Sequence, residues 1–418
     1  MSSHAFADSS TTDSSFVPAC LLCPCFCQDI EVIEDSLFSL RVPSVCRSKL
    51  RADTGRYAHP SAALSISDLA ERLIRARSLN QRIAVTGLEH LGFESQKVAL
   101  QLAEILGAWV LGTAHGTKAD PWASCFSQLG SWLASWSEIR QRSDGLLLWY
   151  AALWESHPRW LERFGPVDHH AHRLAVVEPA CQSLPEGWIE DQIIRLDPSK
   201  ALNFLVDLRV VLNNPTSEPS NSELRRVVHH FRNTKWLTLV RSEDPPGLVD
   251  PFGIAEQMTS LMKQCNAGPH RVVFGEVPVS LNQAGLKSIL SWRTGLNLPV
   301  HFSEEGPVYR PDELKPSEIE LLLIFGDDIP TWVDHPVQAD CIRFHSPLAQ
   351  PLPDFMDKTV SVCVRPHSFS MTQTWIRADG VAIRTPDTHA GGLAGMQSLI
   401  SGILAIFDSS SMTQGTKS

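Results

Sequence analysis

The chain has 418 residues, 43% hydrophobic and 20% charged, with a formal net charge of −10. The length suggests two to four packed units, and the composition is that of an ordinary globular protein. An acidic balance without a basic stripe excludes nucleic acid and an anionic membrane surface as expected partners.

Residues 1–16 are rich in Ser, Thr and Asp and read as a disordered tail. They lack the cationic start and apolar run of a secretory signal. The longest apolar stretch, Leu146 to Trp154, is too short to span a bilayer, so the expected location is cytoplasmic. The next segment, 17–60, is dominated by cysteine. Cys20, Cys23, Cys25 and Cys27 crowd one short loop and Cys46 follows. Without Cys25 the spacing is C-x2-C-x3-C-x18-C. Three thiolates on a tight loop and a fourth returning from further along suit a cubane iron–sulfur cluster. Structural zinc prefers two C-x2-4-C knuckles, and Cys46 has no such partner. Zinc and plain buried thiols remain the alternatives. The scattered Cys125, Cys181, Cys265, Cys341 and Cys363 read as inert buried thiols.

From Ile66 onward strands and helices alternate. Helices are predicted over Ile66–Ser78, Phe93–Leu106, Trp122–Arg140, Glu155–Phe164, Ala201–Leu212, Ser222–Asn233, Ile254–Cys265 and Gln283–Ser291. Strands are predicted over Arg82–Thr86, Trp109–Gly112, Gly145–Trp149, Arg173–Val177, Leu237–Val240, Arg271–Phe274, Val300–Phe302 and Ile319–Phe325. This alternation implies α/β architecture: parallel sheets with helices on both faces. Asp379-Gly380 marks a β-hairpin within Met371–Arg384, and a last helix runs from Gly395 to Ile406. Trp122, Trp132 and Trp136 share one predicted helix, as core or as a subunit interface. The expected division is a tail over 1–16, an iron–sulfur domain over 17–60, and α/β subdomains over 61–180 and 181–350. C-terminal strands, hairpin and helix fill 351–407, and a tail closes the chain over 408–418.

The cysteine loop followed by Asp29-Ile30-Glu31-Val32 resembles the start of the B subunit of formylmethanofuran dehydrogenase, among the molybdopterin oxidoreductases. Glu155-Ser156-His157-Pro158-Arg159, Leu281-Asn282-Gln283, Ser291-Trp292-Arg293-Thr294-Gly295 and Arg377-Ala378-Asp379-Gly380 are similar to further segments of that family, in the same order. The resemblance implies a molybdopterin-oxidoreductase-like fold and one [4Fe–4S] cluster on Cys20, Cys23, Cys27 and Cys46. It implies a tungsten or molybdenum ion on two pterin dithiolenes, interconverting carbon dioxide and formate. Companion subunits would move formate to and from methanofuran and cover the pterin. A related bacterial formyltransferase/hydrolase complex keeps the same subunits. It releases formate in tetrahydromethanopterin-linked one-carbon metabolism.

Two positions depart from the family pattern. Ala114, directly before His115-Gly116, stands where the family places a metal-binding Cys or selenocysteine, and a methyl group cannot coordinate tungsten. Tyr150 stands where the family has a glycine that lets backbone approach the cofactor. By the resemblance His115 corresponds to the family's active-site histidine; standing alone, it reads rather as a packed or subunit-facing histidine. The expectation is therefore a structural subunit of a formyltransferase/hydrolase-type complex, with an iron–sulfur cluster and a degenerate tungsten–pterin site. An active formylmethanofuran dehydrogenase subunit is the alternative, and a stand-alone electron carrier fits the long chain less well. His169, His170 and His172 read as a solvated loop, and Gly391-Gly392 as the entry to the last helix.

Overall fold

The computed structural model describes Cys25, residues 31–32 and 40–41, and most of 65–415. Omitted within that span are 114–115, 117, 123–132, 168–171, 182–186, 215, 243, 246, 279, 311–312, 327–329, 331, 333–338, 346–358, 365–372 and 386–394. Cys20, Cys23, Cys27, Cys46, Ala114 and His115 thus lie outside the described residues, as do both ends of the chain. The early strands are β1 (Glu31–Val32) and β2 (Leu40–Arg41), an antiparallel pair, followed by β3 (Ile83–Thr86) and β4 (Trp109–Leu111). Then come β5 (Gly145–Trp149), β6 (His172–Val177), β7 (Ile193–Arg195), β8 (Trp236–Arg241) and β9 (Arg271–Glu276). The later ones are β10 (Val300–Ser303), β11 (Gly306–Tyr309), β12 (Leu321–Phe325), β13 (Asp340–His345), β14 (Thr359–Cys363), β15 (Gln373–Ile376) and β16 (Ala382–Thr385). The helices are α1 (Ile66–Ser78), α2 (Phe93–Leu106), α3 (Trp136–Arg142), α4 (Leu153–Ser156) and α5 (Trp160–Phe164). They continue as α6 (Ala201–Asn213), α7 (Ser222–Asn233), α8 (Pro251–Asn266), α9 (Gln283–Thr294) and α10 (Met396–Gly415).

Two sheets carry the fold, as the α/β pattern predicts. The first is ordered β11-β10-β4-β3-β12-β13-β14, parallel from β4 to β14, with β10 and β11 antiparallel at one edge. The second, β7-β6-β5-β8-β9, is parallel throughout. Each is doubly wound: the chain builds outward from a central strand in one direction, then returns to build in the other. The first sheet draws its strands from both ends of the described chain; the second uses one contiguous stretch. Runs such as Leu-Leu-Leu-Ile-Phe in β12 are apolar at every position because both faces are covered.

Side chains leave each strand alternately up and down. On one face of the first sheet, Ile83, Val85, Leu321, Leu323, Phe325 and Phe344 pack with Leu69, Leu73, Leu100 and Ile403 from α1, α2 and α10. On the other, Ala84, Leu322, Ile324 and Cys341 meet Trp109 and Leu314. In the second sheet, Leu147, Leu237 and Leu239 face α6, α7 and α8, while Leu146, Leu148 and Val240 face Trp136 and Trp160. Ser65 starts α1 with a capping box: its hydroxyl takes the Asp68 N–H, and the Asp68 carboxylate accepts from the Ser65 hydroxyl and backbone. Those bonds to Ser65 hold the Asp68 carboxyl below its ordinary range.

The predicted hairpin is present as β15–β16, and it bridges the two units. Asn282 is fully buried; its amide donates to the Leu91 carbonyl at 2.8 Å and its carbonyl accepts the Ile376 N–H at 2.8 Å. Glu94, at the start of α2, accepts from the Thr374 backbone and hydroxyl, both at 2.7 Å. Past the last residue of β15, the buried Asp379 carboxylate takes the Trp136 N–H at 2.8 Å and pairs with Arg377, whose guanidinium lies over the Trp136 ring. One hairpin thus grips α2 of the first unit and α3 of the second.

Three elements differ from the sequence expectation. In the predicted Trp122–Arg140 helix, only Trp136–Arg142 is helical among the described residues. Trp122 lies in a turn, and Leu133 bridges to Phe274. Trp122 and Trp136 enter different cores, at 0% and 1% exposure, so neither offers the interface surface considered for that segment. The Glu155–Phe164 helix is broken in two at His157-Pro158, because proline disfavours helical backbone at the residue before it. The last helix passes Ile406 and continues to Gly415, with the Ser409 and Ser410 hydroxyls bonding back to the Ile406 carbonyl.

These contacts lead to two tests. Asn282→Ala leaves the Leu91 carbonyl and the Ile376 N–H without their partner inside the protein. Urea unfolding should show a loss of about 2–6 kcal/mol, one desolvation penalty per orphaned group. His230 is the second case. It is buried on α7, edge-on to His172 at 6.3 Å, and its Nε2 has no hydrogen-bond partner. Burial first, then the His172 ring, pulls its pKa from 6.5 down to about 4; His229 acts the same way, and Asp144 and the Leu146 backbone oppose. The unfolded chain therefore takes up a proton that the folded chain refuses. This stability is present in full above pH 6.5 and is lost as pH falls from there through 4. Its size is on the order of 3 kcal/mol. Unfolding curves at pH 7.5, 6 and 5 should lose most of this slope in His230→Gln.

Candidate functional site

In doubly wound sheets, ligands bind beyond the carboxyl ends of the strands, where the winding direction switches. The first sheet switches between β3 and β12, the second between β5 and β8. A cleft of about 860 Å³ lies where these two ends meet. Its walls include Glu89 just after β3, Gly112 and Thr113 after β4, Arg241 and Ser242 at the end of β8, and Glu276 at the end of β9. Residues 118–121, Gln283 and Lys287 of α9, and Trp332 complete it.

The second sheet contributes a chain of charges. Arg241 is 7% exposed and stands 3.8 Å from both the Asp244 and the Glu276 carboxylates. Its guanidinium lies 4.2 Å from the centre of the Trp122 ring, whose indole N–H donates to Asp244 at 3.0 Å. Lys287 bridges Glu276 at 3.3 Å and Asp120 at 4.0 Å, and Asp120 in turn accepts the Trp122 backbone N–H at 2.9 Å. The network closes on itself: Asp244, Arg241, Glu276, Lys287, Asp120 and Trp122. Charges taken out of water need such partners, and the aromatic face adds a cation–π contact.

The first sheet contributes Glu89, which is 5% exposed. Its Oε1 accepts the Thr113 N–H at 2.5 Å, whereas Oε2 has no hydrogen-bond partner. From Thr113 the chain turns back at once, with the Gly116 N–H donating to the Gly112 carbonyl at 3.0 Å. Gly116 has φ +57°, and a Cβ there would come within 2.7 Å of the Trp332 ring. Only glycine suits that corner. Trp332 also donates its indole N–H to the Gly112 carbonyl at 3.0 Å. Ala114 and His115, between Thr113 and Gly116, lie outside the described residues.

The sequence-derived residues are scattered relative to this cleft. The four cysteines named as cluster ligands lie outside the described residues. Cys25, the surplus thiol, is 1% exposed and packs in the second core near Trp136. Burial raises the Cys265 thiol to about 11 and the Cys341 thiol to about 12, which keeps both protonated and inert. His172 starts β6, at the end of its sheet away from the cleft, and His169 and His170 are outside the described residues. His157 is buried, with its Nε2 3.1 Å from the Pro278 carbonyl, and Arg159 pairs with Glu162. Among the described residues no group of three or more His, Cys, Asp or Glu is arranged to hold a metal ion.

Tyr150 follows the last residue of β5 with φ +47°, the left-handed backbone that glycine adopts freely. Its ring does not line the cleft. It lies edge-on to Trp149 at 5.2 Å and donates its hydroxyl to the Leu196 carbonyl at 3.0 Å. Burial, with Asp197 and Glu178 adding to it, pushes that hydroxyl far above its ordinary pKa, so it stays a donor. The position keeps a glycine-like backbone while its side chain fills the second core. Among the described residues the lining is acidic for a phosphate-bearing pterin pair: Arg241 and Lys287 each stand beside two carboxylates, and four carboxylates face three cations along the wall.

Sequence reasoning missed Glu89, Asp120, Arg241, Asp244, Glu276 and Lys287. A signal existed for two of them. Arg241 and Glu276 are the charged last residues of strands with largely apolar interiors, where a doubly wound sheet places its ligand contacts.

Fold and cleft together define a two-sheet, doubly wound α/β protein with a polar cleft shared between its sheets. Over 394 residues, 85% of each chain, the sequence is 22% identical to the B subunit of the tungsten-containing formylmethanofuran dehydrogenase 2 of Methanocaldococcus jannaschii. The fold matches a chain in the formyltransferase/hydrolase complex from Methylorubrum extorquens, solved with methylofuran, at a TM-score of 0.66 and 15% identity. The match covers 84% of this chain and 99% of that one. No family model matches the sequence. The resemblance read from the sequence, to the dehydrogenase family and to its bacterial counterpart complex, is borne out by these two likenesses.

Tyr150→Gly relieves the left-handed strain, worth about 1–2 kcal/mol. It also empties a ring-sized space in the second core, a loss of about 3–5 kcal/mol. A net destabilisation of roughly 1–4 kcal/mol is expected by urea unfolding, the difference of those two terms.

Proposed function

We propose that this chain is the B-type component of a formylmethanofuran dehydrogenase-like formyltransferase/hydrolase complex in one-carbon metabolism. In this proposal it is a structural subunit of the cytoplasm that does not itself interconvert carbon dioxide and formate. Its companion subunits bind the one-carbon carrier and act on it. The reading is supported by a likeness to a dehydrogenase B subunit along 85% of both chains, joined to a cleft in which Arg241 and Lys287 each stand beside two carboxylates. Ala114 supports it independently, since that position offers no thiolate to a soft metal.

Cys20, Cys23, Cys27 and Cys46 are proposed to hold one [4Fe–4S] cluster, four thiolates being the donor set such a cluster takes. When bound, the cluster would supply one-electron chemistry; the chain's own part is to present the thiolates and exclude water from them.

One preparation tests both parts. Anaerobically purified native material should carry about four iron per chain, with broad absorbance near 400 nm. It should run well above the chain's own 46.3 kDa on a native sizing column, and contain no stoichiometric tungsten or molybdenum. Viologen-linked formate oxidation should be absent. Tungsten or molybdenum with turnover would restore the oxidoreductase alternative, with His115 the next residue to mutate. A monodisperse monomer would remove the subunit role, and zinc in place of iron would remove the cluster.

A further inference from the structure

A buried carboxylate oxygen without a partner is expensive, and native proteins keep few of them. Glu89 carries one at the wall of the cleft. Its Oε1 is used by the Thr113 N–H, and Oε2 by nothing. The other cleft carboxylates differ. Asp244 accepts the Trp122 indole N–H, Glu276 pairs with Lys287, and Asp120 accepts the Trp122 backbone N–H. On either side of Glu89 in the chain, Thr86 Oγ1 and His90 Nε2 are also buried and without hydrogen-bond partners. Three such atoms thus lie at the carboxyl end of β3, one strand of the first sheet's switch point, and across the cleft the Arg241 Nε is a further buried atom without a hydrogen-bond partner.

Charge gives an independent indication. Among the described residues four carboxylates line the cleft (Glu89, Asp120, Asp244 and Glu276) against the cations Lys118, Arg241 and Lys287. Asp120, Asp244 and Glu276 share Arg241 and Lys287, which leaves that network one negative charge in excess, and Glu89 stands outside it. The volume of about 860 Å³ falls within the roughly 300–1,000 Å³ of small-molecule pockets.

We propose that this cleft is a binding site for a small organic cation of the amine or amidine class, held by its N–H groups on Glu89 Oε2. The N–H donors supply the missing hydrogen bond, and the positive charge offsets the excess. A phosphate or carboxylate ligand would meet the opposite field. The proposal rests on the reading that the cleft holds no tungsten–pterin; metal content of the native material tests that reading, and probe binding tests this one.

The probes are benzamidine and benzylamine, with benzoate as the anionic control of similar shape. They are titrated into the full-length chain, in its native complex where it purifies as one, and followed by calorimetry and thermal unfolding. Both cations should bind and raise the Tm at millimolar concentration, and benzoate should not. Glu89→Gln retains an oxygen for the Thr113 N–H but loses the charge. It should weaken both cations by at least about tenfold. In the absence of probe, the same variant should be as stable as the parent or more so, since it removes an unmatched buried charge. That second reading separates lost binding from lost folding. Equal binding by Glu89→Gln, stronger binding of benzoate, or no response to either cation would overturn the proposal.

Discussion

Asn282 is the point on which the two halves of the molecule depend. From one fully buried side chain it holds the loop before α2, through Leu91, and the hairpin, through Ile376. Its backbone completes the tie: the Asn282 N–H donates to the Glu89 carbonyl, and its own carbonyl accepts from Gln96. Asp379 repeats the device at the far end of the hairpin by receiving the first N–H of α3. A hairpin of two four-residue strands has little stability alone. Here it persists because the polar groups it presents inward meet dedicated partners. The cleft inherits this rigidity. Glu89 sits on the backbone that Asn282 holds, and Lys287 is on the helix that begins one residue later.

The cleft shows how a doubly wound fold sets geometry and electrostatics separately. Strand ends converge and leave space, and the side chains there decide what the space favours. Arg241 is stacked on an indole, flanked by carboxylates and nearly inaccessible. Breaking any member of such a network strands its neighbours. A fold fixes where a site lies, and function has to be argued from the site itself.

Much of the architecture was legible in the residues. Continuous apolar strands such as Gly145–Trp149, separated by helices of 3.6 periodicity, announced buried parallel sheets. The Asp379-Gly380 turn announced the hairpin. Which strands pair was not legible. Nothing local in Ile83–Thr86 says that its neighbour is Leu321–Phe325, because pairing depends on the path of the whole chain. The Trp122–Arg140 helix was misread for a physical reason: Trp132 and Trp136 are four apart and mimic one helical face, yet Trp122 belongs to a different core. The charged cleft escaped because its members are distant in sequence and carry no motif. They become a site only when two sheet ends meet.

The order in which the strands are made also matters. The second sheet uses only residues 145–276, so all its strands exist before β10 is synthesised. The first sheet cannot be completed until β14, since β3 pairs with β12 and β12 with β13. During synthesis β3 and β4 must wait with one apolar edge unpaired while a whole sheet is made between them and their partners. Such an edge is the surface on which chains stick to one another. A ribosome-bound chain of this protein thus passes through a long interval in which its central sheet is ready and its earlier strands need shelter. Chaperones, or a companion protein already folded, are the natural sources of that shelter.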